Sequence, residues 1–313
     1  MNPKSDDSQN RSGYEAIAAL LGVQLLFGSL PVIAKVVLAE VPAVALVGIR
    51  VLIAALVLLA FQAYRKRIWL SNRKDYLRLA VLGFFGVVLN QLLFIGGLSL
   101  TKASNVSLLV ITIPIFTLLV SALIGTERLS ARKIAGVGLA AAGAIILIDP
   151  ANASFSSATT IGDLMIILNS LAFSIYVATS KEIVTRNGAF RSMMWVFIFS
   201  SIICTPLAIY SLSSVSVAAV SSQTWALVLY ISIFATALPY LLNAFAISRV
   251  SPTAVAVFIY LQPIIGFIMA SIFLNEVIDL RFAIASILIF AGVYLTTRRR
   301  APKPASLDQS ETI

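Results

Sequence analysis

The chain has 313 residues, of which 59% are hydrophobic and only 12% charged, with a formal net charge of +10 and a mean hydropathy of +0.98. A typical soluble domain carries about 25% charged residues, so this composition describes an integral membrane protein. Cys204 is the sole cysteine and there is no histidine, which excludes an intramolecular disulfide, cysteine metal clusters, histidine triads and histidine metal sites; no cofactor or metal is expected.

Residues 1–14 (MNPKSDDSQNRSGY) are polar and lack the basic start and cleavage site of a signal peptide, and they read as a disordered tail on the cytoplasmic side. Apolar runs of roughly 20 residues, long enough to cross a hydrocarbon core of about 30 Å, then follow. Ten are expected, at 15–37, 43–64, 76–100, 104–124, 132–149, 160–181, 192–210, 224–247, 252–274 and 281–297. The linker 150–159 is rich in Ser, Thr, Ala and Asn without a basic residue, and 298–313 forms a basic C-terminal tail. With both termini cytoplasmic, 19 of the 23 basic residues fall on the cytoplasmic side, including Arg65, Lys66, Arg67, Arg73, Lys74 and Arg78 in one loop. Basic residues so placed face lipid headgroups, and no nucleic-acid partner is expected.

The chain also repeats itself. Residues 104–147 return 149 positions later: Pro114 as Pro263, Glu127 as Glu276, Arg132 as Arg281 and Gly143 as Gly292. Ser130 returns as Asp279, and both residue types cap helix N-termini. Lys35 and Lys181 end the first span of each half. Five spans per half is an odd number, so the second half must enter the membrane from the opposite side. The fold class expected is therefore all-α, ten transmembrane helices as a 5+5 inverted-topology repeat over 15–149 and 160–297.

The two-half pattern, Arg50 in the second span, the Pro114 and Pro263 spans and the Glu127 and Glu276 turns resemble the drug/metabolite transporter superfamily, EamA type. That resemblance covers almost the whole chain. It implies a carrier of the bacterial inner membrane, not an enzyme, exporting a small metabolite such as an amino acid from a central cavity. A nucleotide-sugar or phosphate-ester exchanger needs several basic residues at cavity depth, where only Arg50 qualifies, and a lipid flippase subunit is a third reading.

Neutral polar residues cluster on spans 1, 3, 4, 6, 8 and 9, among them Gln24, Asn90, Gln91, Thr112, Asn169, Ser174, Tyr176, Tyr240, Asn243, Tyr260 and Gln262. Asn90, Thr112, Tyr240, Tyr260 and Gln262 are the expected solute contacts, because each approaches mid-depth on equivalent spans. Arg50 costs roughly 2.5–3.5 kcal/mol within the core and either joins them, snorkels outward or bonds a neighbouring helix. Pro114 and Pro263 each remove a backbone donor and mark a hinge or a static kink. Glu127 and Glu276 stand at span ends, five residues before Arg132 and Arg281, and read as structural ion pairs rather than proton carriers. Gly83, Gly86, Gly96, Gly97, Gly136 and Gly138 are expected to let helices approach closely.

Overall fold

The computed structural model describes residues 3–148, 159–213, 216–265, 268 and 280–297, and contains no strand among them. Helix α1 runs Pro3–Val37 and α2 Ala43–Tyr64. The next segment is α3 (Lys74–Gly83), a π-helical turn (Phe84–Leu89) and α4 (Asn90–Leu100) in one continuous rod. Then come α5 (Ala103–Leu109), α6 (Thr112–Leu123) and α7 (Ala131–Ile148). The second half holds α8 (Thr160–Asn187), α9 (Ala189–Leu212), and α10 (Ser222–Ser232) continued through a π-turn (Ile233–Ala237) into α11 (Leu238–Ile247). It closes with α12 (Pro252–Val257), a 3₁₀ turn (Phe258–Leu261) and α13 (Leu280–Thr297).

Seven segments among the described residues are long and apolar enough to cross a membrane: Gly13–Val37, Ala43–Tyr64, Lys74–Leu100, Asn105–Leu123, Thr160–Asn187, Ala189–Leu212 and Ser222–Ile247. Pro252–Ile265 and Phe282–Thr297 are apolar but shorter. The expected span 252–274 runs past the described residues. At the N-terminus the expectation of a disordered tail is corrected, because α1 begins at Pro3; proline suits a first helical position, where its missing N–H has no partner to lose. Between α8 and α9 there is no loop at all, and the chain reverses through Gly188 at φ 80°, a conformation open to glycine without a Cβ penalty.

The local irregularities recur with the sequence repeat. The π-turn starting at Phe84 returns at Ile233, 149 residues on. The break between α5 and α6 at Val110–Ile111 returns as the 3₁₀ turn Phe258–Leu261. Neither proline kinks a continuous helix. Pro114 and Pro263 instead sit within the first three residues of a restarted helix, where a missing donor costs least. The carbonyl of Val110 accepts from the Ile113 N–H at 3.0 Å across the break.

Packing follows the same relation. Helix α2 lies on α9, and α7 on α13. Phe61 stacks on Phe190 at 4.7 Å while Gly48 faces Cys204 and Ala208, so α2 and α9 run antiparallel. In the second pair Gly136 abuts Gly292, and Gly143 abuts Ala285. These are one contact written twice, since 136 and 285, and 143 and 292, are each 149 apart. Small residues here bring backbones together, the main source of attraction between helices that both sit in lipid. Gly83, Gly86, Gly96 and Gly97 are likewise crowded by a neighbouring helix, whereas a Cβ on Gly138 would meet nothing, which corrects the expectation for that residue.

The ends are tied by polar contacts. Lys35 donates to the Thr101 carbonyl at 3.1 Å and Lys181 to the Val250 carbonyl at 2.8 Å, again 149 residues apart on the acceptor side. At the end holding Arg73 and Asn187, Asp75 accepts from Arg186 Nε at 3.0 Å and Asn187 Nδ2 at 2.7 Å, and Arg78 pairs with Glu182 at 3.1 Å. At the other end Glu40 accepts from the Ser221 N–H at 2.7 Å and its hydroxyl at 3.1 Å, at the start of α10. That backbone N–H holds the Glu40 carboxyl below the usual carboxylate range.

Candidate functional site

A π-turn widens a helix by one residue and leaves a carbonyl without its usual intrahelical donor. Both π-turns among the described residues have that carbonyl answered from another helix. Tyr240 Oη on α11 donates to the Gly86 carbonyl at 2.6 Å, inside the first π-turn. Arg50 Nη2 on α2 donates to the Ala235 carbonyl at 3.0 Å, inside the second, and Arg50 Nε to Thr236 Oγ1 at 2.7 Å. Gly86 and Ala235 are 149 residues apart. Arg50 is thus neither snorkelling nor at the surface: it is 1% exposed and bonds a neighbouring span, the third of the three expectations for it.

These contacts assemble one polar cluster. Tyr240 lies at 2.9 Å from Asn90 Oδ1, and the Asn90 carbonyl accepts from Asn169 Nδ2 at 2.8 Å. Around the Tyr240 ring stand Phe197 at 5.2 Å, Phe27 at 6.1 Å and Tyr176 at 6.3 Å between centroids. Next to Asn90, Gln91 is 3% exposed and lies beside the Tyr240 hydroxyl, close enough to interact with it yet without a well-aligned hydrogen bond among the described residues. Arg50 Nη1 is also buried without one. Unpaired buried polar groups cost about 1–3 kcal/mol each unless something answers them.

The structure brings Asn90, Tyr240 and Arg50 into this cluster. Tyr260 stands apart from it on the line between the halves, its hydroxyl donating to the Ile111 carbonyl at 3.0 Å, and 111 and 260 are themselves 149 apart. Gln262 Nε2 bonds Gln24 Oε1 at 2.9 Å, joining the α6-equivalent segment to α1. Thr112 is turned onto its own break, donating to the Leu109 carbonyl at 2.6 Å. Ser174 braces the same region through the Ile113 carbonyl at 2.9 Å. Gln91 and Gln24 were singled out as mid-span polar residues but not as solute contacts, and Thr236 was passed over. Gln91 had a signal, since it is the repeat equivalent of Tyr240; Thr236 had none, because threonine inside an apolar span reads as packing.

Glu127 is almost fully buried and forms an ion pair with Lys133, one residue past the expected Arg132. Its other oxygen accepts from the Thr253 N–H at 2.8 Å, at the N-terminus of α12. The helix phase explains the shift. Ser130 caps α7 by accepting from the Lys133 N–H at 3.3 Å, which places Lys133 in the first turn facing back toward Glu127. Glu276 and the Arg281 side chain lie outside the described residues. Among the described residues no group of three His, Cys, Asp or Glu side chains could hold a metal ion.

A bundle of long apolar helices with neutral polar groups and one arginine buried at its centre is the architecture of a multi-pass membrane protein that handles a solute. The comparisons give the class its family. The model of the EamA-like transporter family matches residues 15–149 and again 160–298, and the chain belongs to that family. An uncharacterized transporter of Archaeoglobus fulgidus is 29% identical over 85% of this chain and 91% of its own length. A probable terminal-alkyne amino-acid exporter of Streptantibioticus cattleyicolor is 24% identical over 72% of this chain and 74% of its own. A crystal structure shares the fold with a TM-score of 0.73, covering 90% of this chain and 96% of that one at 18% identity. Family and relatives alike are transporters rather than enzymes.

Proposed function

We propose that the chain is a secondary carrier that exports a small metabolite, an amino acid or related solute, across the bacterial inner membrane by alternating access. In this reading ten helices form a 5+5 inverted repeat, both termini are cytoplasmic, and the solute lodges at the polar cluster on the line between the halves. The antiparallel packing of α2 on α9 and of α7 on α13 supports the inversion. The observation that carries the site is a buried polar group of Arg50, whose Nη1 has no partner among the described residues, with the Gln91 amide beside the Asn90–Tyr240 pair. A guanidinium N–H answers a carboxylate, a primary amide answers either half of a zwitterion, and the rings of Tyr176, Tyr240 and Phe197 enclose an apolar side chain. Tyr260, Gln262 and Thr112 act one step away, joining the segments that must part when the site opens. Pro114 and Pro263, at restarted helices, let those segments pivot. The amino-acid exporter among the relatives is consistent with such a solute.

The test is uptake by proteoliposomes screened against amino acids. Gln91→Ala and Arg50→Lys should each lower transport at least tenfold while the folded yield is kept, and should alter solute preference. Unchanged transport in both variants, folded like wild type, places the site elsewhere. Membrane-impermeant thiol labelling of Ser71→Cys and Ser156→Cys in a Cys204→Ser background checks the orientation: label on position 71 but not 156 in intact cells overturns it.

A further inference from the structure

One end of the bundle is made where α4 ends beside the start of α8, the other where α11 ends beside the start of α1. Two lysines frame these ends alike: Lys35 donates to the Thr101 carbonyl and Lys181 to the Val250 carbonyl, the lysines 146 and the acceptors 149 residues apart. Inside that frame the two ends differ. At the first, Asp163 on α8 accepts from Thr101 Oγ1 at 2.6 Å and from Asn105 Nδ2 at 3.0 Å. These bonds cross from the second half to the first, and all three side chains are buried. The backbones touch as well, since a Cβ on Gly162 would stand 2.9 Å from the Gly97 carbonyl oxygen. At the second end the residues at the same spacings are Ile17, Val250 and Ala254, whose side chains can form no hydrogen bond. With Tyr14, Leu20 and Phe258 they line a cavity of about 480 Å³. One helical turn beyond Leu20 and Phe258, Gln24 bonds Gln262 at 2.9 Å, so polar contact at this end lies deeper and joins neutral groups.

We propose that Asp163 is a positioning residue for transport: its bonds to Thr101 and Asn105 latch one end of the bundle shut, and the carrier rests open at the other. In an inverted repeat the second state is the first with the roles of the halves exchanged. The start of α1 then closes on Val250 and Ala254, while the start of α8 leaves Thr101 and Asn105. Hydrogen bonds to a carboxylate are roughly twice as strong as those between neutral groups. A carboxylate latch at one end, facing only apolar side chains at the equivalent place, therefore makes the two states unequal and favours the one seen here. Thr101 is the centre of the device, since its carbonyl holds α1 through Lys35 and its hydroxyl holds α8 through Asp163. In the orientation proposed above the open end faces the cytoplasm, where an exporter collects its cargo. The inference rests on the alternating-access reading but not on the identity of the solute.

The experiment measures distances by double electron–electron resonance on the full chain in lipid nanodiscs, in a Cys204→Ser background. Spin labels go on Leu100→Cys and Ile161→Cys across the latch, both exposed positions, and on Glu15→Cys and Ser248→Cys across the cavity. Without further change the latch pair should give one short distance. In Asp163→Ala, and in Thr101→Val, which copies Val250, a longer latch distance should gain at least about tenfold in population over the short one, as loss of hydrogen bonds to a charged group implies. The cavity distance should shorten in step. A lower melting temperature with the cavity pair unmoved would make Asp163 merely structural and overturn the proposal. So would unchanged distances at both pairs in either variant, folded like wild type. Uptake of amino acids by proteoliposomes, read alongside, separates the two ideas: distances that shift in a chain that carries none of them uphold the latch and count against the solute reading alone.

Discussion

Gly86 and Ala235 occupy the same place in the two halves, each inside a π-turn and each with a carbonyl released from its helix. One is answered by the hydroxyl of Tyr240, the other by the guanidinium of Arg50. The donors come from different spans, α11 and α2, and carry different charge. The backbone irregularity and the need for an outside donor are thus shared by the halves, while the donor is not. A freed carbonyl in an apolar bundle must be satisfied, but any donor that reaches it will serve, and this freedom lets one half place a cation at the centre while the other places an aromatic ring.

The comparison breaks most sharply at Arg50. Arg50→Ala removes two bonds from a charged donor, each worth about 1.5–3 kcal/mol, and thermal denaturation should show a loss of about 3 kcal/mol or more with transport abolished. Next in size is Gly86→Ala, whose Cβ would overlap the Tyr176 ring. Overpacking of this kind costs about 1–3 kcal/mol, against no measurable change for Gly138→Ala, which faces open space. Tyr240→Phe keeps the ring and loses the hydroxyl that meets both the Gly86 carbonyl and Asn90 Oδ1, so it should cost about 1–2 kcal/mol. A melting curve for Tyr240→Phe as depressed as that for Arg50→Ala would show that the two carbonyls are not answered on unequal terms.

Glu127→Gln should lower the melting temperature by an amount corresponding to about 1–2 kcal/mol, through loss of the Lys133 pair and a weaker cap on α12, and should leave the pH dependence of transport in place. Loss of that dependence in a well-folded variant would make Glu127 a proton carrier. The smallest effect belongs to Glu40. Its folded pKa is lowered by the Ser221 N–H, so its contribution is present above the unfolded value and is lost as pH falls through the folded one. The difference in melting temperature between wild type and Glu40→Gln should accordingly be visible at pH 7 and shrink as pH falls below the ordinary glutamate value of about 4.3.

Much of this was legible in the chain. The repeat follows from residues that recur at a fixed spacing, and the apolar spans and buried amides from polar letters set within long apolar runs. The π-turns were not legible, because Phe84–Leu89 and Ile233–Ala237 read as ordinary apolar helix. The first π-turn packs on α8 and the second on α2, and the second is followed by Pro239, which has no N–H for the Ala235 carbonyl. Arg50 was recognised as anomalous, yet its partner was not read; Pro239 marks the Ala235 carbonyl as lacking its usual donor, but nothing in the sequence says which span answers it. Lys133 in place of Arg132 shows the limit of counting residues across a turn: the cap on Ser130 sets the helix phase, and one residue of phase decides which cation meets the acid.

The contact between α7 and α13 has one more consequence. Gly136 meets Gly292 and Gly143 meets Ala285, so each partner uses the same surface to grip the other. That self-complementary geometry is how two identical subunits associate about a two-fold axis, here written within a single polypeptide. The crossing therefore does not depend on the linker for its geometry. Halves made as separate chains, 1–154 and 155–313, should find each other through it when both are present in one membrane.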